Sequence, residues 1–213
     1  MRRLADIWNE RYAKSEYVYG EEPNIFLKEK LEKLPVGHIL FVGEGEGRNA
    51  VYAAKQGWKV SAFDISSEGK KKAQQLALKN NVHIDYHVGE LHDMNYKKEQ
   101  FDVIALVFTH FPAKTRSSIH KELNNYLAQG DFILLEVFSK RQIGHQANNP
   151  NAGGPKSVDM LYDIEDIKSD FDYLKIIELS ESEIYLSEGD HHNGLSSVIR
   201  FMGEKIDFNE DER

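Results

Sequence analysis

Three alternating glycines, placed directly after a short apolar run, constrain this chain more than any other feature. The run covers residues 39–42, the glycines are Gly43, Gly45 and Gly47, and a helical pattern begins at Asn49. Glycine adopts positive φ and lets a ligand approach the main chain, while the helix start beyond it offers free N–H groups. The pattern therefore predicts a strand, a tight turn and a helix, with a nucleotide-like ligand at the carboxyl end of the first strand. A glycine-rich turn without a ligand is the alternative.

Composition limits the class of protein and of partner. The 213 residues suit one α/β domain, and 40% hydrophobic residues are enough for a core. A formal net charge of −8 argues against nucleic acid or an anionic membrane as the main partner. The absence of cysteine excludes disulfides, a thiol nucleophile and cysteine-based zinc sites. No run approaches membrane-spanning length, so we expect a soluble protein of the cytoplasm.

Residues 1–36 are predicted to form a helical cap on the N-terminal side of the turn. Apolar residues recur at helical spacing over about residues 3–13, at Leu4, Ile7, Trp8 and Tyr12. A second helix is predicted to begin after Pro23, with Asn24 as its N-cap. The aromatic loop between these helices, residues 17–20, is interpreted either as packing or as part of a lid.

Strand and helix patterns alternate beyond the turn. Strands are predicted at residues 58–63, 83–88, 101–108 and 132–138, and helices at 67–80 and 114–127, the last ending in a turn at Gln129 and Gly130. Such alternation indicates right-handed βαβ units and a parallel sheet covered on both faces. The lysines at 70–72 are predicted to lie on a solvated helix face.

The pattern changes after residue 138. Residues 139–162 are polar and are predicted to be a long loop, either functional or disordered, and a short helix begins near Asp163. Residues 174–186 and 195–203 predict an antiparallel hairpin joined by residues 187–194. The fold class is therefore α/β, a Rossmann-like three-layer sandwich with a seven-stranded, mostly parallel sheet and an antiparallel C-terminal hairpin. One domain is expected over residues 1–213, with its core at 38–203 and a charged tail at 204–213.

Two nucleotide-binding chemistries use this architecture. The dinucleotide fingerprint requires a third glycine where this chain has Arg48, so that fingerprint fails. Both chemistries require an acid at the end of the second strand, and Asp64 stands there. A carboxylate accepts hydrogen bonds from both ribose hydroxyls, and each charge-assisted bond contributes about 1.5–3 kcal/mol. A turn or helix-capping aspartate is the alternative interpretation of Asp64.

Several short motifs occur together in the order and spacing of one family. They are residues 8–12, 43–50, 64–66, 89–91, 101–104, 108–112, 153–155 and 192–194. On these residues the chain resembles the class I S-adenosylmethionine-dependent methyltransferases, and within them it is similar to the small tellurite-resistance and thiopurine-type enzymes. The resemblance covers residues 5–203.

The resemblance implies which residues bind S-adenosylmethionine. The methionyl part would lie on the turn and at the end of the fourth strand, near Gly43, Glu44, Gly45, Gly47, Val107 and Phe108. The adenosyl part would lie near Asp64, Ile65, Glu90 and Leu91. Trp8 and Tyr12 would cap the pocket, and the set is completed by Arg48, Asn49 and Ser66. Relatives carry an acid where this chain has Phe41, and Glu44 is expected to supply that charge.

Methyl transfer from a sulfonium is an in-line displacement in which alignment supplies much of the catalysis. A general base is needed only if the acceptor must lose a proton. The candidates are His110, which follows the fourth strand, and His191 and His192 in the final hairpin loop, with Arg48 orienting the substrate or the cofactor carboxylate. A structural role for His110 and solvent exposure for the other two histidines are the alternatives. No metal site is expected.

The partner implied is a small-molecule methyl acceptor, which the sequence does not identify, and the sequence gives no oligomeric state. Two other functions remain open at this point. One is a non-catalytic S-adenosylmethionine-binding protein, and the other is an NAD(P)-dependent oxidoreductase. Arg48 in place of the third fingerprint glycine and the terminal hairpin count against the oxidoreductase.

Overall fold

The computed structural model describes residues 3–206. Its strands are β1 (His38–Val42), β2 (Lys59–Asp64), β3 (Asp85–Val88), β4 (Phe101–Val107), β5 (Leu127–Phe138), β6 (Lys175–Glu188) and β7 (His192–Glu204). Its helices are α1 (Leu4–Tyr12), α2 (Ile25–Leu31), α3 (Arg48–Lys55), α4 (Ser67–Lys79), α5 (Ala113–Tyr126), α6 (Gln142–Asn148) and α7 (Ile164–Asp170). Short 3₁₀ turns cover Leu91–Asp93, Pro150–Ala152 and Val158–Met160. Of the tail predicted at 204–213, Glu204 ends β7 and residues 207–213 lie outside the described residues.

The seven strands form one sheet in the order β3-β2-β1-β4-β5-β7-β6. Strands β1 to β5 are parallel, and β7 is antiparallel to both β5 and β6. The predicted fold class is therefore confirmed. The strand order reverses between β1 and β4, and ligands of open α/β sheets bind outside the carboxyl ends of the strands at such a point.

Helices cover both faces of the sheet. Ile39 and Leu40, adjacent in β1, point to opposite faces and are both fully buried. One face packs against α2, α3 and α4, and the other packs against α5 and α7. The central strands read as almost continuous apolar runs because both of their faces are buried. No helix within residues 3–206 is long and apolar enough to cross a membrane.

Helix starts follow their capping residues. Asn24 caps α2 as predicted, since its side chain accepts a hydrogen bond from Leu27 N at 2.9 Å. Asp163 caps α7 and accepts from Asp166 N, while the Asp166 carboxylate accepts from Asp163 N. These side chains satisfy backbone N–H groups that the first helical turn leaves free.

The long loop predicted at residues 139–162 is wrong. This segment contains α6 and two 3₁₀ turns, and Gln142 fixes it to the sheet. The buried amide of Gln142 donates to Ala152 O at 2.9 Å and accepts from Ser197 N at 2.8 Å. A seven-residue helix held by a polar side chain has too few apolar positions to show a period. The turn predicted at Gln129 and Gly130 is also wrong, because β5 begins directly after α5 and includes both residues.

The solvated position predicted for Lys72 is wrong as well. Lys72 is only 7% exposed, and its Nζ lies 2.7 Å from Glu46 Oε1. Its neighbour Lys71 does face solvent. Lys72 is buried because the segment between α1 and α2 covers α4: Lys72 Nζ donates to Glu16 O, and Tyr17 Oη donates to Lys72 O at 3.1 Å.

Candidate active site

The three glycines of the turn adopt left-handed backbone conformations. The φ angles of Gly43, Gly45 and Gly47 are 64°, 63° and 89°. A Cβ added at Gly47 would lie 2.5 Å from Ala73 Cβ, and one at Gly45 would lie 2.6 Å from Tyr12 Oη. The turn therefore needs glycine both for its conformation and for its close contacts with α1 and α4.

Asp64 ends β2 and joins the turn to α4. Its Oδ2 accepts a hydrogen bond from Gly45 N at 3.0 Å, and its Oδ1 accepts from Ser66 N at 2.8 Å. Burial raises the pKa of Asp64 to about 6, although these backbone bonds oppose the shift. A carboxylate offers about four acceptor positions, and the backbone bonds do not fill all of them, so Asp64 keeps capacity for a ligand hydroxyl.

Glu44 replaces the side-chain cap that glycine cannot provide at the start of α3. Gly47 is the N-cap residue, and Glu44 Oε1 accepts from Ala50 N at 2.7 Å. Burial raises the pKa of Glu44 to about 7. This carboxyl lies in the turn where the resemblance places the cofactor's methionyl part, but it already bonds the helix terminus.

The raised pKa of Glu44 predicts a pH dependence of cofactor affinity, which Glu44→Gln is expected to remove. The carboxyl must lose its proton to attract the cofactor's α-ammonium, so wild-type affinity for S-adenosylhomocysteine should rise as pH increases through about 7. Titration calorimetry between about pH 6 and pH 8 measures this affinity. Subtracting the variant's slope removes any contribution of Asp64, which both proteins share. Equal slopes in the two proteins would show that Glu44 does not face the ammonium.

The residues predicted on the adenosyl side differ in their exposure and in whether their polar groups already bond the protein. Ser66 caps α4, and its Oγ donates to Asn9 Oδ1 at 2.8 Å, so its hydroxyl already bonds the protein. Ile65 is half-buried and Leu91 is buried. Glu90 is exposed and caps the short turn at Leu91–Asp93. The amide of Asn49 is engaged too, since its Oδ1 accepts from Asn24 N at 2.9 Å.

Helix α1 lies against the glycine turn. Trp8 stacks on Tyr12 with 5.4 Å between ring centroids, and Tyr12 is buried beside Gly45. Asn9 Oδ1 also accepts from Glu68 N at 3.2 Å, which fixes α1 to the start of α4. The structure therefore brings Tyr12 to the turn, with Trp8 stacked on Tyr12, and their expected role as a cap on the pocket stays a prediction.

Arg48 is engaged by the terminal hairpin. Its guanidinium donates to Glu188 Oε2 at 2.8 Å and to Glu22 O at 3.3 Å. Arg48 is buried and the Glu188 side chain is 11% exposed, and His192 Nδ1 lies 3.2 Å from the same oxygen of Glu188. Sequence reasoning missed Glu188, whose only signal was its position four residues before His192. The structure thus brings Arg48 and His192 together through a third residue.

The ring of His192 lies among aromatic side chains. Its centroid is 4.5 Å from that of Tyr19, 4.6 Å from Phe108 and 5.1 Å from Phe138. Gly153 leaves room for the ring, since a Cβ there would lie 2.5 Å from His192 Cδ2. Burial lowers the pKa of His192, and Glu188 opposes that shift. Within residues 3–206, Nε2 of His192 has no hydrogen-bond partner.

His110 lies in a different environment. Its Nδ1 is 2.7 Å from Met160 O, and its Nε2 accepts from Phe138 N at 3.4 Å. Burial lowers the pKa of His110 to about 4. Both ring nitrogens therefore bond backbone groups, which fits the alternative of a structural histidine. His191 follows the hairpin tip, with its ring 6.3 Å from that of Tyr19.

A second ion pair, of which only the carboxylate is fully buried, lies beside Arg48 and Glu188. Glu136, fully buried in β5, bonds Arg200 of β7 and accepts from Asn24 Nδ2 at 2.6 Å. These polar groups form one side of a cavity of about 340 Å³, whose other walls are the segment at residues 19–25 and residues 184–189 at the end of β6. Glu136 had one signal in the sequence, as a single acid inside the apolar run predicted at residues 132–138.

Comparison with known proteins places this geometry in a family. A family model described as a methyltransferase domain matches residues 39–130. A search of curated proteins finds no match. The match includes the glycine turn, Asp64 and strands β1 to β4.

Solved structures share the fold. A structure described for the conversion of a disulfide bond into a thioacetal group during echinomycin biosynthesis has 16% identity and a TM-score of 0.78, over 99% of this chain and 95% of that chain. TehB from Haemophilus influenzae has 15% identity and a TM-score of 0.69, over 94% and 66% of the two chains. Magnesium protoporphyrin IX methyltransferase (ChlM) from Synechocystis, with bound S-adenosylhomocysteine, has 15% identity and a TM-score of 0.67, over 95% and 98%.

At these identities the structures show the fold alone, and the family model matches a methyltransferase domain over residues 39–130. The recognition made from the sequence motifs is confirmed, and the nicotinamide-dependent alternative is set aside. With the match of residues 39–130 to a methyltransferase domain, its sheet order and its glycine turn, the chain is recognised as resembling the class I S-adenosylmethionine-dependent methyltransferases.

Proposed function

We propose that the protein transfers the methyl group of S-adenosylmethionine to a small-molecule acceptor by in-line displacement. The observation that carries this proposal is the covered position of the site between the glycine turn and the terminal hairpin. Val18 N donates to Glu46 Oε2 of the turn at 2.8 Å, and Tyr19 packs on His192 after the hairpin tip. The N-terminal segment therefore covers the site both at the glycine turn and at the terminal hairpin. A covered site suits a small acceptor better than a macromolecule.

The cofactor residues have separate roles in this proposal. Asp64 binds the ribose hydroxyls through its remaining acceptor positions, beside Ile65 and Leu91. The glycine turn would hold the methionyl part, and Phe108 would lie beside it after the end of β4. The leaving group is neutral, so alignment of sulfur, methyl carbon and acceptor supplies most of the rate, an effect that reaches about 7–11 kcal/mol for well-oriented partners.

Thermal unfolding with four cofactors tests the proposal. S-adenosylhomocysteine or S-adenosylmethionine at about 100 times its Kd should stabilise the protein by about 2.7 kcal/mol, a rise of about 5–10 °C for a chain of this size. NAD and NADP should leave the midpoint unchanged. Incubation with methyl-labelled cofactor and fractionated metabolites then detects transfer. Cofactor binding without transfer to any small molecule would favour a non-catalytic binding protein.

Asp64→Ala is expected to weaken cofactor affinity about ten- to a hundredfold, because about 1.5–3 kcal/mol of ribose bonding is lost. Titration calorimetry with S-adenosylhomocysteine measures the change. Asp85→Ala, which removes an exposed acid at the start of β3, is the control and should leave affinity unchanged. Unchanged affinity in Asp64→Ala would place the cofactor elsewhere.

A further inference from the structure

Arg48, Glu188 and His192 form a hydrogen-bonded series that ends at a free imidazole nitrogen. The three residues come from α3, β6 and β7, and both Arg48 and His192 bond Oε2 of Glu188. We propose that Glu188 and Arg48 are positioning residues that hold His192 as the general base, and that the acceptor atom arrives protonated, as a thiol or phenolic hydroxyl. This inference rests on the function proposed above and names the acceptor class of that site.

The carboxylate selects one tautomer of the ring. An ionised carboxylate only accepts hydrogen bonds, so Nδ1 of His192 must carry the proton that points to Glu188. In the neutral ring, Nε2 then holds a lone pair and is the basic atom. His110 provides the contrast, because backbone groups occupy both of its nitrogens.

Glu188 is held in its ionised form by its neighbours. Burial raises the pKa of Glu188, but the hydrogen bond from His192 and the charge of Arg48 outweigh burial and lower the pKa to about 2. Asn24 Nδ2 adds a bond to Oε1 at 3.2 Å. The carboxylate therefore remains negative when His192 takes a proton, and it stabilises the imidazolium that forms.

The surroundings of the ring favour the binding of a neutral acceptor, so an anionic acceptor should bind with a higher KM although it needs no base. Tyr19, Phe108 and Phe138 pack on the ring, and the charged or titratable groups that face it are Arg48, Glu188, His191 and His110. Glu188 already balances the charge of Arg48, and Arg11 donates to Tyr19 Oη at 2.9 Å. An anion entering this apolar cluster would lose hydration without gaining a free cation.

The proposed step balances as a simple displacement. The acceptor atom forms a bond to the methyl carbon as the bond between that carbon and sulfur breaks, and the sulfur keeps the electron pair. The acceptor's proton passes to Nε2 of His192. The products are the methylated acceptor, S-adenosylhomocysteine and an imidazolium, which returns its proton to water after product release.

Nuclear magnetic resonance of the ¹⁵N-labelled protein tests the positioning role without any acceptor. The neutral His192 ring should carry its proton on Nδ1, and Glu188→Gln should lower its pKa by about one pH unit or more, because a nearby negative charge is lost. His87, an exposed ring 3.0 Å from Asp85, is the internal reference and should not change. A proton on Nε2 of His192, or an unchanged pKa in the variant, would overturn the proposal.

Two probe thiols test the base. Wild type should methylate 2-mercaptoethanol, which is protonated at neutral pH, and 4-nitrothiophenol, which is ionised. His192→Gln should lose about 10²–10⁴-fold in kcat/KM with 2-mercaptoethanol but less than about tenfold with 4-nitrothiophenol. His87→Gln should change neither rate.

The outcomes separate this inference from the proposed function. The inference would be overturned if His192→Gln lost activity equally with both thiols. It would also be overturned if wild type methylated only the ionised thiol, or neither thiol. Each of these results leaves cofactor binding intact. Failure of the proposed function instead appears as no thermal shift with either adenosyl compound.

Discussion

Gly47→Ala is expected to destabilise the protein by about 3–5 kcal/mol. The new side chain would adopt a φ of 89°, a conformation that costs roughly 1–3 kcal/mol for a residue other than glycine. Its Cβ would also lie 2.7 Å from Ala73 Cα, a backbone atom that cannot move away cheaply, and such overpacking adds about 1–3 kcal/mol. Urea unfolding measures the loss.

Gly144→Ala is the matched control for this substitution. A Cβ at Gly144 in α6 meets no atom within 4 Å, and its φ is not in the left-handed region. Alanine there should be neutral or stabilising by up to about 1 kcal/mol, because glycine is a poor helix former. Similar stability of the two variants would show that α4 does not press against the turn.

Lys72→Met should cost about 3–5 kcal/mol, because it leaves the buried carboxylate of Glu46 without its cation. Glu46 would keep only its bond from Val18 N, so the segment between α1 and α2 should loosen as well. Urea unfolding gives the free energy, and hydrogen exchange at Val18 reports the local effect.

Lys71→Met provides the comparison on the same helix. Lys71 is 64% exposed and pairs with Glu68 at the surface, so its loss should stay within about 0.5 kcal/mol. Combining Lys72→Met with Glu46→Gln removes both buried charges and should recover much of the stability. A double variant as unstable as Lys72→Met alone would mean that the ion pair is not the cause.

The strand–turn–helix at the glycines could be predicted because its signals are local. Apolar runs of strand length, glycines at alternate positions and the capping residues Asn24 and Asp163 each act within a few residues of sequence. The parallel sheet followed from the alternation, and the placement of Asp64 followed from the end of its strand. These parts of the fold depend on patterns that neighbouring residues carry.

The acceptor side could not be predicted in the same way. Glu188 is 140 positions from its partner Arg48, and Glu136 is 112 from Asn24, so nothing local marks these buried charges. Lys72 has the sequence surroundings of a solvated lysine, and only packing of the segment between α1 and α2 buries it. The pattern of a single sequence indicates which residues are apolar, but it does not indicate which distant side chain will pair with a charged group.

The order of the last two strands has a consequence for assembly. Within the described part of the sheet, β6 is hydrogen-bonded only to β7, although it precedes β7 in the chain. It therefore cannot join the sheet until β7 lies along β5. We expect the five parallel strands and the cofactor turn to become ordered first, and Glu188 and His192 to reach their places last. We then expect the hairpin of β6 and β7 to open first in the native state, before the parallel strands β1 to β5 and the glycine turn.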